Sequence, residues 1–168
     1  MRPNTGSSTS SSGGDHRSPE RASSGLMPTS LPLVVSPLRR VVERHGVEVV
    51  LVSIEVWPDE VVVRARGLPS ERTAALEDEF GDALERWRRQ GADTDAAPRQ
   101  PAERIFDVAV SVADDAGTAY APTTSARGGS GAMFRADWTF VPGPPESARS
   151  LVVRIDGSAT TIELDASR

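Results

Sequence analysis

The sequence predicts a mainly β protein, a two-sheet β-sandwich that carries one inserted amphipathic helix. Residues 47 to 66 give the clearest signal, because apolar and polar side chains alternate there with the period of a β-strand. About seven or eight segments of this kind follow one another at intervals of roughly 8 to 15 residues, a spacing typical of sandwiches. A single segment, residues 71 to 90, instead has the period of a helix. With 168 residues, the chain has room for one domain.

The composition excludes several classes of enzyme. All 19 positively charged residues are arginines, and there is no lysine and no cysteine. Without lysine this chain has no Walker-type phosphate loop, no Schiff-base or pyridoxal phosphate chemistry and no Ser-x-x-Lys acyltransferase site. Without cysteine it has no disulfide, thiolate metal site or thiol nucleophile. The net charge is -5 and acidic residues are interspersed with the arginines, so we expect no nucleic-acid-binding surface.

Residues 1 to 30 are rich in serine, glycine and proline and almost free of apolar side chains. Such a segment buries too little surface to offset the entropy of ordering it, so we expect a disordered N-terminal tail. The β-sandwich domain is predicted to occupy residues 31 to 168. No stretch has the length and apolarity of a membrane span, and the N-terminus lacks a secretory pattern. We therefore expect a cytoplasmic protein with no membrane partner.

The first half of the domain is predicted to contain an interrupted edge strand and then a hairpin. Pro32 and Pro37 limit the first strand to an edge or split it into two pieces. His45-Gly46 is predicted to form a tight turn into the hairpin, whose two strands meet at Trp57-Pro58-Asp59-Glu60. The alternation places Val50, Val52, Ile54 and Val56 on one face of the first hairpin strand, and Val61, Val63 and Ala65 on one face of the second.

A helical insertion at residues 70 to 91 follows the hairpin. Ser70 is the predicted N-cap, and Gly91 ends the helix. Leu76, Phe80, Leu84 and Trp87 recur at helical spacing and form an apolar stripe. This stripe indicates either a crossover helix packed on its own sheet or a helix that binds a partner. Residues 92 to 102, which contain two prolines and no apolar period, are predicted to be a linker.

The second half is predicted to return to strands. We expect one strand from Ile105 to Val112, a turn at residues 114 to 117, a short strand around residues 118 to 121 and a glycine-rich loop from Ser125 to Gly131. Another strand is predicted to bury Phe134, Ala136, Trp138 and Phe140. After a proline-rich connector at residues 141 to 149, a last hairpin turns at Asp156-Gly157 and buries Leu151, Val153, Ile155, Ile162 and Leu164.

Two sequence elements resemble a known group of proteins. They are the Asp-Asp-x-Gly-Thr-x-Tyr element from Asp114 to Tyr120 and the Trp-x-Phe-x-Pro element from Trp138 to Pro142. Together with the valine-rich hairpin, they resemble uncharacterised actinobacterial proteins with an immunoglobulin-like β-sandwich. The resemblance covers residues 47 to 164 except for the helix and the linker. It implies an immunoglobulin-like sandwich fold and implies no catalytic residues.

Asp114 and Asp115 are the candidate metal ligands, because with Asp107 and Asp137 they would supply the oxygen atoms that calcium requires. The spaced Asp-x-Asp-x-Asp-Gly signature of a calcium loop is absent. The competing interpretation assigns these aspartates to a turn, in which Gly117 supplies a positive φ. We favour the turn and expect no metal and no cofactor.

Arg127 is the candidate anion-binding residue, since it lies in a glycine-rich segment whose backbone amides are also available. The segment matches neither G-x-G-x-x-G nor the P-loop and no helix is predicted after it, so we favour the alternative, a mobile hairpin loop. A hydrolase triad would depend on His45, but the G-x-S-x-G elbow does not occur. We therefore expect no enzyme activity.

The candidate interaction surface comprises Trp57 at the hairpin corner, Glu55 two residues before it, and Arg127; tryptophan is enriched at binding hot spots. The sequence thus predicts a non-catalytic interaction or structural module that binds a protein of unspecified identity. A calcium- or anion-binding sandwich and an enzyme with an unrecognised site are the alternatives.

Overall fold

A computed structural model of the chain describes residues 31 to 90, 96 to 130 and 133 to 164. The described residues form nine strands and two helices, arranged as two antiparallel sheets with one long helix, which confirms the predicted β-sandwich. The elements are β1 (Leu33–Val35), β2 (Arg39–Arg44), β3 (Val47–Val56), β4 (Val61–Gly67), α1 (Glu71–Arg89), α2 (Pro101–Ile105), β5 (Val110–Asp114), β6 (Ala121–Gly128), β7 (Arg135–Val141), β8 (Ser150–Ile155) and β9 (Ser158–Glu163).

The larger sheet has the strand order β1-β3-β4-β7-β6, and β2 also pairs with β3. Because β4 occupies the other edge of β3, β1 and β2 lie one after the other along the same edge. The smaller sheet has the order β5-β8-β9. The core lies between the two sheets, and β6 is the last strand of the larger sheet among the described residues.

The predicted interruption of the first strand is confirmed. β1 and β2 are separate pieces, and Leu38 between them has a φ of 46°. The predicted turn at His45-Gly46 is also confirmed, since the two residues have φ values of 51° and 76°. Two successive positive φ values are typical of the type I′ turns that join tightly paired strands. This turn brings β2 back beside β3.

The hairpin formed by β3 and β4 is confirmed, but half of the predicted face of β3 is wrong. The register shifts between Leu51 and Ser53, so Val52 forms a bulge. Before the bulge the buried apolar residues are Val47, Val49 and Leu51, and after it they are Ile54 and Val56. An inserted residue exchanges the two faces of a strand, which is why Val50 and Val52 are only half-buried.

The core is built from both sheets and from both helices, since α1 contributes Leu76. Its largest fully buried side chains include Phe106, Phe134, Leu51, Ile54, Ile105, Leu151 and Ile155. Phe106 meets Trp138 edge to face, with ring centroids 6.2 Å apart and an interplanar angle of 76°, a favourable arrangement for two aromatic rings. The predicted burial of Phe134, Ala136, Trp138 and Phe140 is confirmed.

β2 also connects the two sheets through polar contacts. Arg39 Nη1 donates to the carbonyl oxygen of Ala159 over 3.0 Å. Arg44 Nη2 lies 2.7 Å from Asp156 Oδ2 in the turn between β8 and β9. These contacts hold the edge of the larger sheet against the end of the smaller one.

The structure corrects the predicted second half in four places. The proposed linker of residues 92 to 102 already contains the start of α2, with Pro101 in its first turn, where a missing amide is tolerated. The predicted strand from Ile105 to Val112 is wrong in its first part, because β5 begins at Val110. The short strand predicted around residues 118 to 121 is wrong, because β6 begins only at Ala121. The glycine-rich loop predicted from Ser125 to Gly131 is wrong in its first part, because Ser125 to Gly128 complete β6 and pair with β7.

Candidate functional site

α1 begins at a capping box. Ser70 Oγ accepts a hydrogen bond from the amide of Thr73 over 3.3 Å, and Thr73 Oγ1 accepts one from the amide of Ser70 over 3.0 Å. Leu76 is fully buried in the core, whereas Phe80, Leu84 and Trp87 are only half-buried. The first half of the apolar stripe therefore packs on the sandwich, and the second half has a partly open surface. The predicted end at Gly91 lies outside the described residues.

A groove of about 420 Å³ separates α1 from the segment that leads into and out of α2. Its volume falls in the roughly 300 to 1,000 Å³ range of ligand pockets. The apolar lining consists of Phe80, Ala83 and Pro98, and the polar lining consists of His45, Glu79, Arg99, Arg104 and Asp107. The half-buried stretch of α1 thus forms one wall of a concave surface.

The charges around the groove pair with one another. Arg72 Nη1 donates to Glu79 Oε1 over 2.5 Å, and Arg104 Nη1 lies 3.6 Å from Glu79 Oε2. The hydrogen bond from Arg72 is the main cause that lowers the pKa of Glu79. Arg99 Nη1 lies 3.3 Å from Asp107 Oδ2. The rim of the groove therefore has cations and anions that are already neutralised.

A second hollow, also of about 420 Å³, lies beside β6 and α2 and is lined by Arg99, Glu103, Ser125 and Arg127. Arg127 faces inward, since its partner across the ladder is the buried residue Ala136. Its Nε atom is inaccessible to solvent and has no hydrogen-bond partner among the described residues. The candidate anion-binding residue is therefore held by a strand at the edge of a hollow, rather than by the predicted flexible loop.

The two candidate metal ligands fix backbone turns. Asp114 Oδ1 accepts a hydrogen bond from the amide of Thr118 over 2.9 Å, and Asp114 Oδ2 accepts one from the hydroxyl of Tyr120 over 2.8 Å. Burial raises the pKa of Asp114, but the bonds from Thr118 and Tyr120 together outweigh it and the pKa is lowered. Asp115 Oδ1 accepts from the amides of Arg149 and Ser150 over 2.8 and 3.2 Å, and these bonds lower its pKa.

The four aspartates considered as a calcium site do not form a cluster. Asp107 pairs with Arg99, and Asp137 lies 3.4 Å from Arg64 on the larger sheet. Over residues 31 to 90, 96 to 130 and 133 to 164, no group of three or more histidine or acidic side chains is placed to hold a metal ion. His45, the base that a hydrolase would need, is exposed in its turn, where its carbonyl oxygen accepts a hydrogen bond from Arg72.

Trp57 is half-buried, and the backbone of the hairpin corner is covered by Gly143. A Cβ atom on Gly143 would lie 2.4 Å from the carbonyl oxygen of Pro58 and 2.6 Å from that of Trp57. The proline-rich connector therefore packs directly on this corner. The corner closes a turn and rests against another segment of the chain.

Glu55 is engaged in an ion pair that sequence reasoning missed. Arg64 Nε donates to Glu55 Oε1 over 2.7 Å, and Arg64 Nη1 lies 3.4 Å from Asp137 Oδ1. The hydrogen bond to Glu55 is the main cause that raises the pKa of Arg64. The three side chains cross β3, β4 and β7 on the outer face of the larger sheet. The opposite charges of Glu55 and Arg64 in one hairpin could have suggested their ion pair from the sequence. Asp137 could not have been predicted, because it reaches Arg64 only through the register of β4 with β7.

Trp57 and Arg127 do not share a surface. Arg127 lies on β6, three strands away from β3 in the sheet. Arg127 pairs with Ala136 of β7, which pairs in turn with Ala65 of β4. Ala65 lies four residues along β4 from Val61, the end of the strand next to the Trp57 corner. Glu55 also points outward, opposite to Arg127. The predicted contact residues therefore belong to separate places on the molecule.

No helix in the part of the chain that the structure describes is long and apolar enough to span a membrane. Comparison with known proteins finds no matching protein family, no matching curated protein and no matching solved structure. The resemblance to actinobacterial proteins with an immunoglobulin-like sandwich therefore stays a prediction.

Proposed function

We propose that the chain is an immunoglobulin-like β-sandwich that acts as a non-catalytic interaction module and binds a protein partner in the groove between α1 and α2. The observation that carries this proposal is the unequal burial of the apolar stripe of α1. Leu76 joins the core, whereas Phe80 and Leu84 are left half-buried, and Phe80 lines the open groove. An amphipathic helix that served only as a crossover would place its whole stripe on its own sheet.

The lining of the groove indicates the chemistry of the partner. Phe80, Ala83 and Pro98 offer an apolar surface for an aliphatic or aromatic side chain. The acidic groups at the rim already have arginine partners, so a charged anchor would find no unpaired counter-ion there. The occupant is therefore a segment of another protein that inserts one apolar anchor side chain and has uncharged residues beside it.

A pair of alanine substitutions on α1 tests this proposal. Ala83 lines the groove, whereas Ala74 is exposed, and at about 100° per residue the two positions lie on opposite sides of the helix. We expect Ala83→Arg to fill the groove and abolish binding of a protein that forms a stoichiometric complex with the wild type. Ala74→Arg adds the same charge and bulk and should leave the affinity unchanged.

The measurement is calorimetric titration of each variant with a candidate partner that has first been purified as a complex with the full-length wild type. Thermal melts establish that both variants fold. If every stoichiometric partner binds Ala83→Arg as tightly as the wild type, or if no protein forms such a complex, the groove is not the interaction site and the proposal is wrong.

A further inference from the structure

Arg127 occupies an unusual position for a cation. It lies near the end of β6 and is mostly shielded from solvent, and its Nε atom is inaccessible. Among the described residues, its Nε atom has no hydrogen-bond partner, and no acidic side chain lies within ion-pair distance of Arg127. Arginine stays protonated under all conditions that proteins experience, so Arg127 keeps a positive charge at the wall of the hollow. Buried polar groups without a partner in a native protein call for a bound water or ion.

The other charged groups of the hollow are already engaged. Glu103 Oε2 accepts a hydrogen bond from the amide of Gln100 over 3.1 Å. Arg99 uses its guanidinium group on Asp107 Oδ2 and on the carbonyl oxygen of Glu103, each at 3.3 Å. The hollow therefore contains two cations and one anion, and the unpaired cation is Arg127.

We infer that the hollow between β6 and α2 is a binding site for an oxyanion, either a phosphate or a carboxylate group, held by Arg127 and Ser125. A guanidinium group presents parallel N–H donors that match two oxygen atoms of such a group. Ser125 lies two residues before Arg127 on the same strand, so both side chains point to the same face. The serine hydroxyl supplies a further donor, and the hollow of about 420 Å³ leaves room for a larger molecule that carries the oxyanion.

This site is separate from the groove of the proposed function. Arg99 lines both, but Arg127 and Ser125 line only the hollow, and Phe80 and Ala83 line only the groove. Oxyanion binding can therefore fail while the protein-binding proposal stands, and the reverse also holds.

Titration of the full-length protein with inorganic phosphate and with acetate tests the site, with sodium chloride used to hold the ionic strength constant. Backbone amide resonances of residues 124 to 129 are followed by NMR. We expect saturable shifts with at least one of the two anions, and the anion that binds more tightly identifies the ligand class. Arg127→Gln should weaken this binding by roughly ten- to a hundredfold, as expected for loss of a charged hydrogen-bond donor.

Two further variants separate a specific site from general attraction to charge. Glu103→Gln keeps an oxygen for the amide of Gln100 but removes the negative charge from the hollow, so we expect binding to tighten by roughly two- to fivefold. Arg154→Gln removes an exposed arginine from β8 and should change nothing. The inference is overturned if neither anion gives saturable shifts. It is also overturned if Arg127→Gln binds the anion as tightly as the wild type and the Arg154→Gln control do.

Discussion

Gly143 is the residue on which the closure of the hairpin corner depends. It is buried, and the space that a side chain would need is taken by the carbonyl groups of Trp57 and Pro58. Both obstacles are backbone atoms, so neither can move aside as the tip of a flexible side chain could. The close approach explains why the connector after β7 has glycine between two prolines.

Gly143→Ala should therefore destabilise the protein by about 1 to 3 kcal/mol, through overpacking against the corner. Gly81 provides a matched control, because it lies inside α1 and a Cβ atom there would meet nothing within 4 Å. Gly81→Ala should stabilise the protein by roughly 0.5 to 1 kcal/mol, since alanine is the better helix former. Urea denaturation of both variants measures the two effects, and equal effects at the two positions would contradict the account of Gly143.

Asp115 makes stability depend on pH. Its hydrogen bonds from the amides of Arg149 and Ser150 lower its pKa in the folded protein. The ionised carboxylate contributes fully to the free energy of unfolding above the ordinary aspartate pKa of about 3.9. This contribution is lost as the pH falls through the lower pKa that Asp115 has in the folded protein. We expect the free energy of unfolding to decrease on acidification below about pH 4, and Asp115→Asn to make this decrease smaller.

Denaturant unfolding at a series of acidic pH values measures this dependence. Asp59→Asn, in the exposed corner turn, is the matched control and should retain the slope of the wild type. A slope in Asp115→Asn that equals the wild-type slope would show that these two amide bonds do not carry the acid sensitivity.

At the scale of elements, α1 divides into a structural half and an open half. Leu76→Ala should lower the free energy of unfolding by about 2 to 5 kcal/mol, because it leaves a cavity in a fully buried site. Leu84→Ala makes the same chemical change at a half-buried position and should cost roughly 1 kcal/mol or less. The midpoints of chemical denaturation give both values. Equal costs would mean that the whole stripe is packed and would remove the basis of the groove proposal.

The elements that sequence reasoning missed lack a periodic signal. β6 has small, mostly exposed side chains, and as an edge strand of the larger sheet it has no apolar stripe to reveal it. α2 has five residues, fewer than two helical turns. The bulge at Val52 was hidden because β3 has valines on both faces, so that either assignment of faces looked apolar. In contrast, β7 alternates strictly and its buried residues were predicted correctly, and in β4 the predicted Val61, Val63 and Ala65 are buried, with Val62 buried in addition.

At the scale of the whole molecule, the candidate sites come from segments far apart in the chain. The groove takes its lining from the turn at His45, from α1 and from residues 98 to 107. The hollow combines residues that precede or belong to α2 with residues of β6. Arg127 could be singled out from its local sequence, but its missing partner and the neighbouring Glu103 could not. Local patterns identify elements, whereas these sites depend on how the elements are placed together.

The pairing of β4 with β7 has a consequence for how the protein folds. β2, β3 and β4 form a meander of local hairpins, and β6 with β7 and β8 with β9 are local hairpins too. Among the described strand pairs, β4 with β7 joins the most distant parts of the sequence, residues 61 to 66 with 135 to 140. The chain between β4 and β7 must lose conformational entropy to bring the two strands together before their pairing stabilises the protein. We therefore expect the two halves to gain local structure early and the step that joins them to set the speed of folding.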